Sequence, residues 1–128
     1  MSVVPFNYEQ HIEIVNSWGE KHQFHLPPKD ALPKTGFMVN NTACGFLYQT
    51  DSVIGIFEWV FADPSKTKEE RNQAIDKLFE VAEVVAKVKG IKMVLSYSAH
   101  NAYTQVLERN NFQLTDNNMT HYVKKVGN

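Results

Sequence analysis

A chain of 128 residues, 43% hydrophobic and 21% charged, has the length and composition of one globular domain with a real core, which excludes a disordered or repeat protein. Thirteen Lys and Arg against fourteen Asp and Glu leave a net charge of −1, so nothing in the total charge favours DNA, RNA or an anionic membrane as a partner. The longest apolar runs fall short of the roughly eighteen residues of a membrane span. The N-terminal MSVVPFNYEQ lacks the basic and apolar regions of a signal peptide, and Cys44 has no partner for an intrachain disulfide, so a reducing cytoplasm is the expected location.

In chain order, Tyr8, His11, Ile12, Val15, Trp18 and His22 recur at helical spacing and predict an amphipathic helix over residues 8–22, with Ile14 off the stripe. The following HQFHLPPKDALPK carries three prolines and little periodicity, the mark of a surface loop, and such loops often wall a substrate site. His22 and His25 have no carboxylate or cysteine at ligand spacing, so solvated or packing histidines are preferred to a metal site. Three short apolar runs come next, GFMVN, TACGFLYQT and VIGIFEWVF, joined by the tight turns Asn40-Asn41 and Asp51-Ser52. They predict an antiparallel meander. Cys44, inside TACGFLY, reads as a buried small hydrophobe rather than a nucleophile.

In the third run, Phe57, Trp59 and Phe61 alternate against Glu58, Val60 and Ala62, the pattern of a central strand. Asp63-Pro64-Ser65 breaks it, and Thr67 with Glu70 forms a capping-box pattern opening a long helix. That helix buries Ala74, Ile75, Leu78, Val81, Ala82, Val85 and Val88 and stops at Gly90. IKMVLSYS is then a strand parallel to the third run, since a helix of this length is the normal crossover. Residues 102–110 predict a short helix with Tyr103, Val106 and Leu107 inward. Residues 112–114 and 120–126 are expected to close the sheet as a last hairpin.

The fold class is therefore α+β, a single domain over residues 1–128 with a mixed, mostly antiparallel sheet, one central parallel strand pair and flanking helices. Parallel strands that diverge beside a helix N-terminus leave a crevice suited to an anionic ligand such as a phosphate. Every strand–helix connection makes that geometry, and most bind nothing.

This order of elements resembles the GNAT superfamily of acetyl-CoA-dependent N-acetyltransferases over residues 6–126. Ala62-Asp63-Pro64 matches the end of the family's fourth strand, and SYSAHNAYTQVLERNNF is similar to its asparagine, short helix and Gly-Phe segment, with Asn111-Phe112 in place of Gly-Phe. LPKTGFMV, the meander and FADP also look like the small acetyltransferase-like proteins of bacteriophages. The resemblance implies acetyl-CoA as co-substrate, its pantetheine paired with the backbone near Val60, Phe61 and Ala62. It puts the pyrophosphate at the start of the long helix, with charge from Lys66, Lys68 or Arg71 and with Gln73 in the glycine-loop region.

The acceptor is then a primary amine on a small molecule or a protein, and a homodimer is compatible with the chain. Glu58 is the candidate base, its alternative being a solvated position on the wet face of the sheet. Tyr103 either packs against the sheet or serves as the acid for the leaving thiolate. His100 either caps the short helix or touches cofactor. Two departures stand out. The family's loop glycines fall on Arg71, Gln73 and Ile75, or on Lys68, Glu70 and Asn72, according to register, and the family's tyrosine falls on Leu107. They open a second expectation, a non-catalytic GNAT-like protein that binds a protein partner, and between the two a sensor that binds acyl-CoA or a nucleotide without turnover.

Overall fold

The computed structural model describes residues 1–20, 24–98 and 101–127. Asn40 and Asn41 adopt φ of 51° and 49°, a conformation that asparagine tolerates better than other side chains, and this fixes the first hairpin. It folds strand β2 (Gly36–Val39) back on β3 (Ala43–Gln49). At the next turn side chains stand in for backbone. Thr50 Oγ1 donates to the Ile54 carbonyl at 2.6 Å, and Ser52 Oγ accepts the Ile54 N–H at 3.1 Å. Strand β4 (Ile54–Ala62) leaves that turn antiparallel to β3.

Helix α2 (Lys68–Val88) opens on the expected capping box and ends where Gly90 takes φ 78°. The crossover returns β5 (Met93–Leu95) parallel to β4, and helix α3 (Asn101–Arg109) follows. The N-terminal residues Val3–Pro5, for which no strand is predicted, form β1 and pair with β2. The sheet order is β1-β2-β3-β4-β5, with only the last pair parallel.

One core cluster joins Phe37, Val39, Leu47 and Phe57 of the sheet to Leu78 and Ala82 of α2 and Val106 of α3. The other joins Met38, Cys44 and Phe46 to Val15 and Trp18 of helix α1 (Tyr8–Gly19). At about 25 cal/mol per Å² of apolar area removed from water, these two layers are the main stabilising term.

Helix α1 is described to Gly19, with Glu20 still in right-handed helical conformation, and residues 21 and 22 of the expected helix lie outside the described residues. The Phe24 N–H donates to the Gly19 carbonyl at 3.2 Å, and the Phe24 carbonyl oxygen lies 1.9 Å from where a Cβ on residue 19 would stand. His22 lies outside the described residues. Two other expectations need correction. The closing hairpin is absent among the described residues, where 113–127 belong to no strand and Leu114, Tyr122 and Val126 are 78–90% exposed. Adjacent Lys124 and Lys125 interrupt the alternation, so neither face of that segment is uniformly apolar and its register is weakly specified. Second, β5 is paired over three residues rather than over the whole of IKMVLSYS, so it offers a short edge to any further strand.

Candidate functional site

The site begins with an irregularity in β4. Across the β3–β4 ladder Phe46 faces Glu58 and Cys44 faces Phe61, so Gly45 stands opposite both Trp59 and Val60. This is a β-bulge, with Trp59 at φ 57°, a conformation strained for a bulky side chain. It reverses the side-chain alternation. Phe57 packs in the α2 cluster while Trp59 and Phe61 pack in the α1 cluster, so the three aromatics predicted on one face are divided between two. Gly45 is required there, since a Cβ would lie 2.6 Å from Phe57 Cζ. The Trp59 indole holds the bulge by donating to the Tyr48 hydroxyl at 2.9 Å, and that hydroxyl donates to the Ala31 carbonyl at 2.8 Å.

Beside the bulge the parallel pair opens. Pairing runs from Ile54–Met93 to Ile56–Leu95 and ends there, while β4 continues to Ala62. Side chains span the gap at the next two positions. Ser96 Oγ donates to the Phe57 carbonyl at 2.8 Å, and the Tyr97 N–H donates to Glu58 Oε1 at 3.2 Å. The Tyr103 hydroxyl lies 3.0 Å from Ser96 Oγ. Because the single Ser96 hydroxyl hydrogen goes to Phe57, the Tyr103 O–H is the donor in that pair.

Burial holds the half-buried Glu58 carboxyl above the usual carboxylate range, opposed by the Tyr97 N–H and by His121. Burial likewise pushes the Tyr103 phenol up to about 12, opposed by its bond to Ser96, while the Glu58 charge adds to the rise. Cys44, buried and pushed up to about 12, stays a thiol and is no nucleophile.

The start of α2 is already occupied by the protein's own groups. Asp63 Oδ1 accepts from the Ser65 N–H at 2.9 Å and from Ser65 Oγ at 2.8 Å, and the Lys66 N–H goes to the Asp63 carbonyl. Thr67 Oγ1 accepts the Glu70 N–H, and Glu70 Oε1 accepts the Thr67 N–H. These bonds keep Glu70 below the usual carboxylate range and hence charged. Arg71 Nη1 donates to the Lys66 carbonyl at 2.6 Å, bracing the turn. Two carboxylates thus sit on the Ser65 and Thr67 amides just ahead of the helix.

The expected site residues therefore fall into separate groups. Glu58 and Tyr103 come together at the crevice mouth, in company with Ser96 and Tyr97, which the sequence reading took only as strand residues. Val60 and Ala62 pack toward the α2 core, while Phe61 stacks on Phe24 with ring centroids 4.0 Å apart. Lys66 and Arg71 belong to the turn. Lys68 and Gln73 line an open depression of about 500 Å³ between α2 and α3, beside Asp76 and Arg109. Arg109 and Asp76 form a bidentate ion pair there. His100 lies outside the described residues. Leu107, at the position of the family tyrosine, is buried in the core. Among the described residues no group of three His, Cys, Asp or Glu could hold a metal ion, and no helix is long and apolar enough to cross a membrane. The glycine inside an otherwise apolar strand was the available signal for the bulge.

No family model matches the sequence, and no curated protein matches it. Solved structures do. A probable acetyltransferase is similar over 100% of this chain and 99% of its own, with a TM-score of 0.72 at 12% identity. An acetyltransferase of the GNAT family from Staphylococcus aureus MU50 is similar over 99% and 94%, with a TM-score of 0.61 at 14% identity. The aminoglycoside acetyltransferase AAC(6')-Iy, solved with a bisubstrate analogue of CoA and acetylneamine, is similar over 97% of each chain, with a TM-score of 0.63 at 18% identity. The chain has the GNAT fold, with its mixed sheet, parallel β4–β5 pair and flanking helices.

Proposed function

We propose that this protein is a GNAT-type acyltransferase that moves an acetyl group from acetyl-CoA to a primary amine by direct attack. The observation that carries this reading is the meeting of the strained Trp59 bulge, the opening of β4 from β5 and the half-buried Glu58 carboxyl at one crevice mouth. Bulges and strained residues recur beside active sites. A carboxyl held above its usual range is also better matched to taking a proton near neutral pH. The likeness to acetyltransferases solved with CoA supports acyl-CoA as donor. A single domain over the whole chain and a cytoplasmic location belong to the same reading.

In this mechanism the amine nitrogen attacks the thioester carbonyl carbon and forms the C–N bond. Glu58 takes the proton that the nitrogen loses. The C–S bond breaks with its electron pair going to sulfur, and the product is an amide plus the CoA thiolate. Tyr103 is the phenol in the crevice that can protonate that thiolate. Its proton is directed at Ser96 in the free protein, so the transfer requires the pair to turn. Lys66 and Lys68 supply charge for the pyrophosphate.

A second reading, a non-catalytic binding protein, is favoured by one observation: Asp63 and Glu70 place carboxylates on the Ser65 and Thr67 amides in the turn that leads into α2. Titration with acetyl-CoA by calorimetry separates the two, followed by a thiol-release assay against a panel of primary amines. Saturable binding with amine-dependent thiol release supports the enzyme. Absence of binding at millimolar acetyl-CoA overturns it in favour of the second reading.

A further inference from the structure

In the register of the parallel pair, the positions after Ile56 and Leu95 would set Phe57 beside Ser96 and Glu58 beside Tyr97. There the next ladder bond would join the Tyr97 N–H to the Phe57 carbonyl, and instead each of the two groups is taken by a side chain. Ser96 Oγ stands on the Phe57 carbonyl, and the Glu58 carboxylate stands on the Tyr97 N–H. Without its side-chain partner, the gap would present one acceptor from β4 and one donor from β5. That is the complement of a secondary amide, which carries one N–H and one C=O.

We infer that Ser96 and Glu58 form a latch across the crevice, and that an amide of the pantetheine arm displaces it, giving its N–H to the Phe57 carbonyl and taking the Tyr97 N–H on its own oxygen. This inference rests on the acyl-CoA reading above and adds to it Ser96 as part of the latch and Tyr97 as the amide that receives the arm. Displacement has two consequences at named atoms. The Ser96 hydroxyl, no longer spent on Phe57, turns and releases the Tyr103 O–H that it accepts in the latched state. The Glu58 carboxylate loses the Tyr97 N–H and is left facing Tyr103 and His121 as a stronger proton acceptor. Loading the donor thus readies the base, while the empty crevice keeps its edges paired. No buried side-chain polar atom among the described residues is left without a partner in the latched state.

The test uses CoA as the probe on the whole chain, with Ser96→Ala and Ser96→Thr as variants. An ordinary positioning hydroxyl would weaken binding when removed, whereas a latch opposes binding. Ser96→Ala is therefore expected to bind CoA about fivefold more tightly than wild type, the scale of one net hydrogen bond. Its melting temperature should fall, and Ser96→Thr, which keeps the hydroxyl, should restore both values. In wild type, the Tyr97 amide resonance should move on saturation with CoA as it exchanges a carboxylate for an amide acceptor. CoA bound by Ser96→Ala but not by wild type supports the latch in its strongest form. Equal or weaker binding by Ser96→Ala, or a Tyr97 resonance that stays in place while wild type binds CoA, overturns the latch and leaves the acyltransferase reading standing. If neither protein binds millimolar CoA, the acyl-CoA reading falls and the latch with it.

Discussion

The Trp59 indole N–H and the Tyr48 hydroxyl, 2.9 Å apart, connect the strained residue of β4 to the loop that follows α1 through the Ala31 carbonyl. Tyr48→Phe removes both bonds at once. It should destabilise the protein by about 1–2 kcal/mol in urea unfolding, because the indole N–H is partly buried and keeps no partner. The emission of Trp59 should shift at the same time.

Gly45 allows the Phe57 ring to lie against the strand opposite the bulge. Gly45→Ala forces a methyl into that ring and should cost about 1–3 kcal/mol, measured as a lower midpoint in chemical denaturation. A variant as stable as wild type would show that the bulge has room that the geometry denies.

Glu58 carries the pH prediction. If it is the base, kcat/KM rises with pH through a group above the usual carboxylate range, and Glu58→Gln lowers kcat by about a hundredfold or more while leaving CoA affinity close to wild type. Equal activity in the variant removes Glu58 from the chemistry. Stability runs the opposite way. A carboxyl whose pKa is raised by folding contributes fully below its unfolded value, and that contribution is lost as pH climbs through the folded value. Glu58→Gln, which still accepts the Tyr97 N–H, should therefore be at least as stable as wild type at pH 7, with any advantage disappearing toward pH 4.

Glu70 tests the anion site at the start of α2. Glu70→Gln keeps an oxygen for the Thr67 N–H and removes a charge that stands where a pyrophosphate would approach. CoA should bind this variant more tightly, and the gain should shrink at high salt. A salt-independent, unchanged affinity would place the pyrophosphate elsewhere, and the depression lined by Lys68, Gln73 and Arg109 is the next surface to probe.

Local chemistry was readable from the sequence. The Asn40-Asn41 turn, the Thr67–Glu70 capping box and the stop at Gly90 each depend on a few adjacent residues, and all three stand in the structure. The parallel β4–β5 pair was legible through the length of α2. What depends on distant partners was not. The bulge at Trp59 needs Gly45 on another strand, and period-two reading of VIGIFEWVF cannot register an extra residue that its neighbour imposes. β1 is short and acquires its meaning only beside β2. At the site, Glu58 and Tyr103 could be named, but Ser96 and Tyr97 could not, because their roles arise where two strands part.

The topology also separates local from long-range pairings. The β2–β3–β4 meander closes through hairpins between neighbours in sequence, whereas β5 reaches β4 across the whole length of α2, and then by three residue pairs. Loop-closure entropy disfavours such a long-range contact, and three pairs make it a weak seam, as short as that of β1 on β2. Amide hydrogens of Met93 to Leu95 should therefore exchange with solvent through a low-energy local opening, well ahead of those in β3. The compliance a crevice needs to admit a ligand follows from the three-residue pairing of β5.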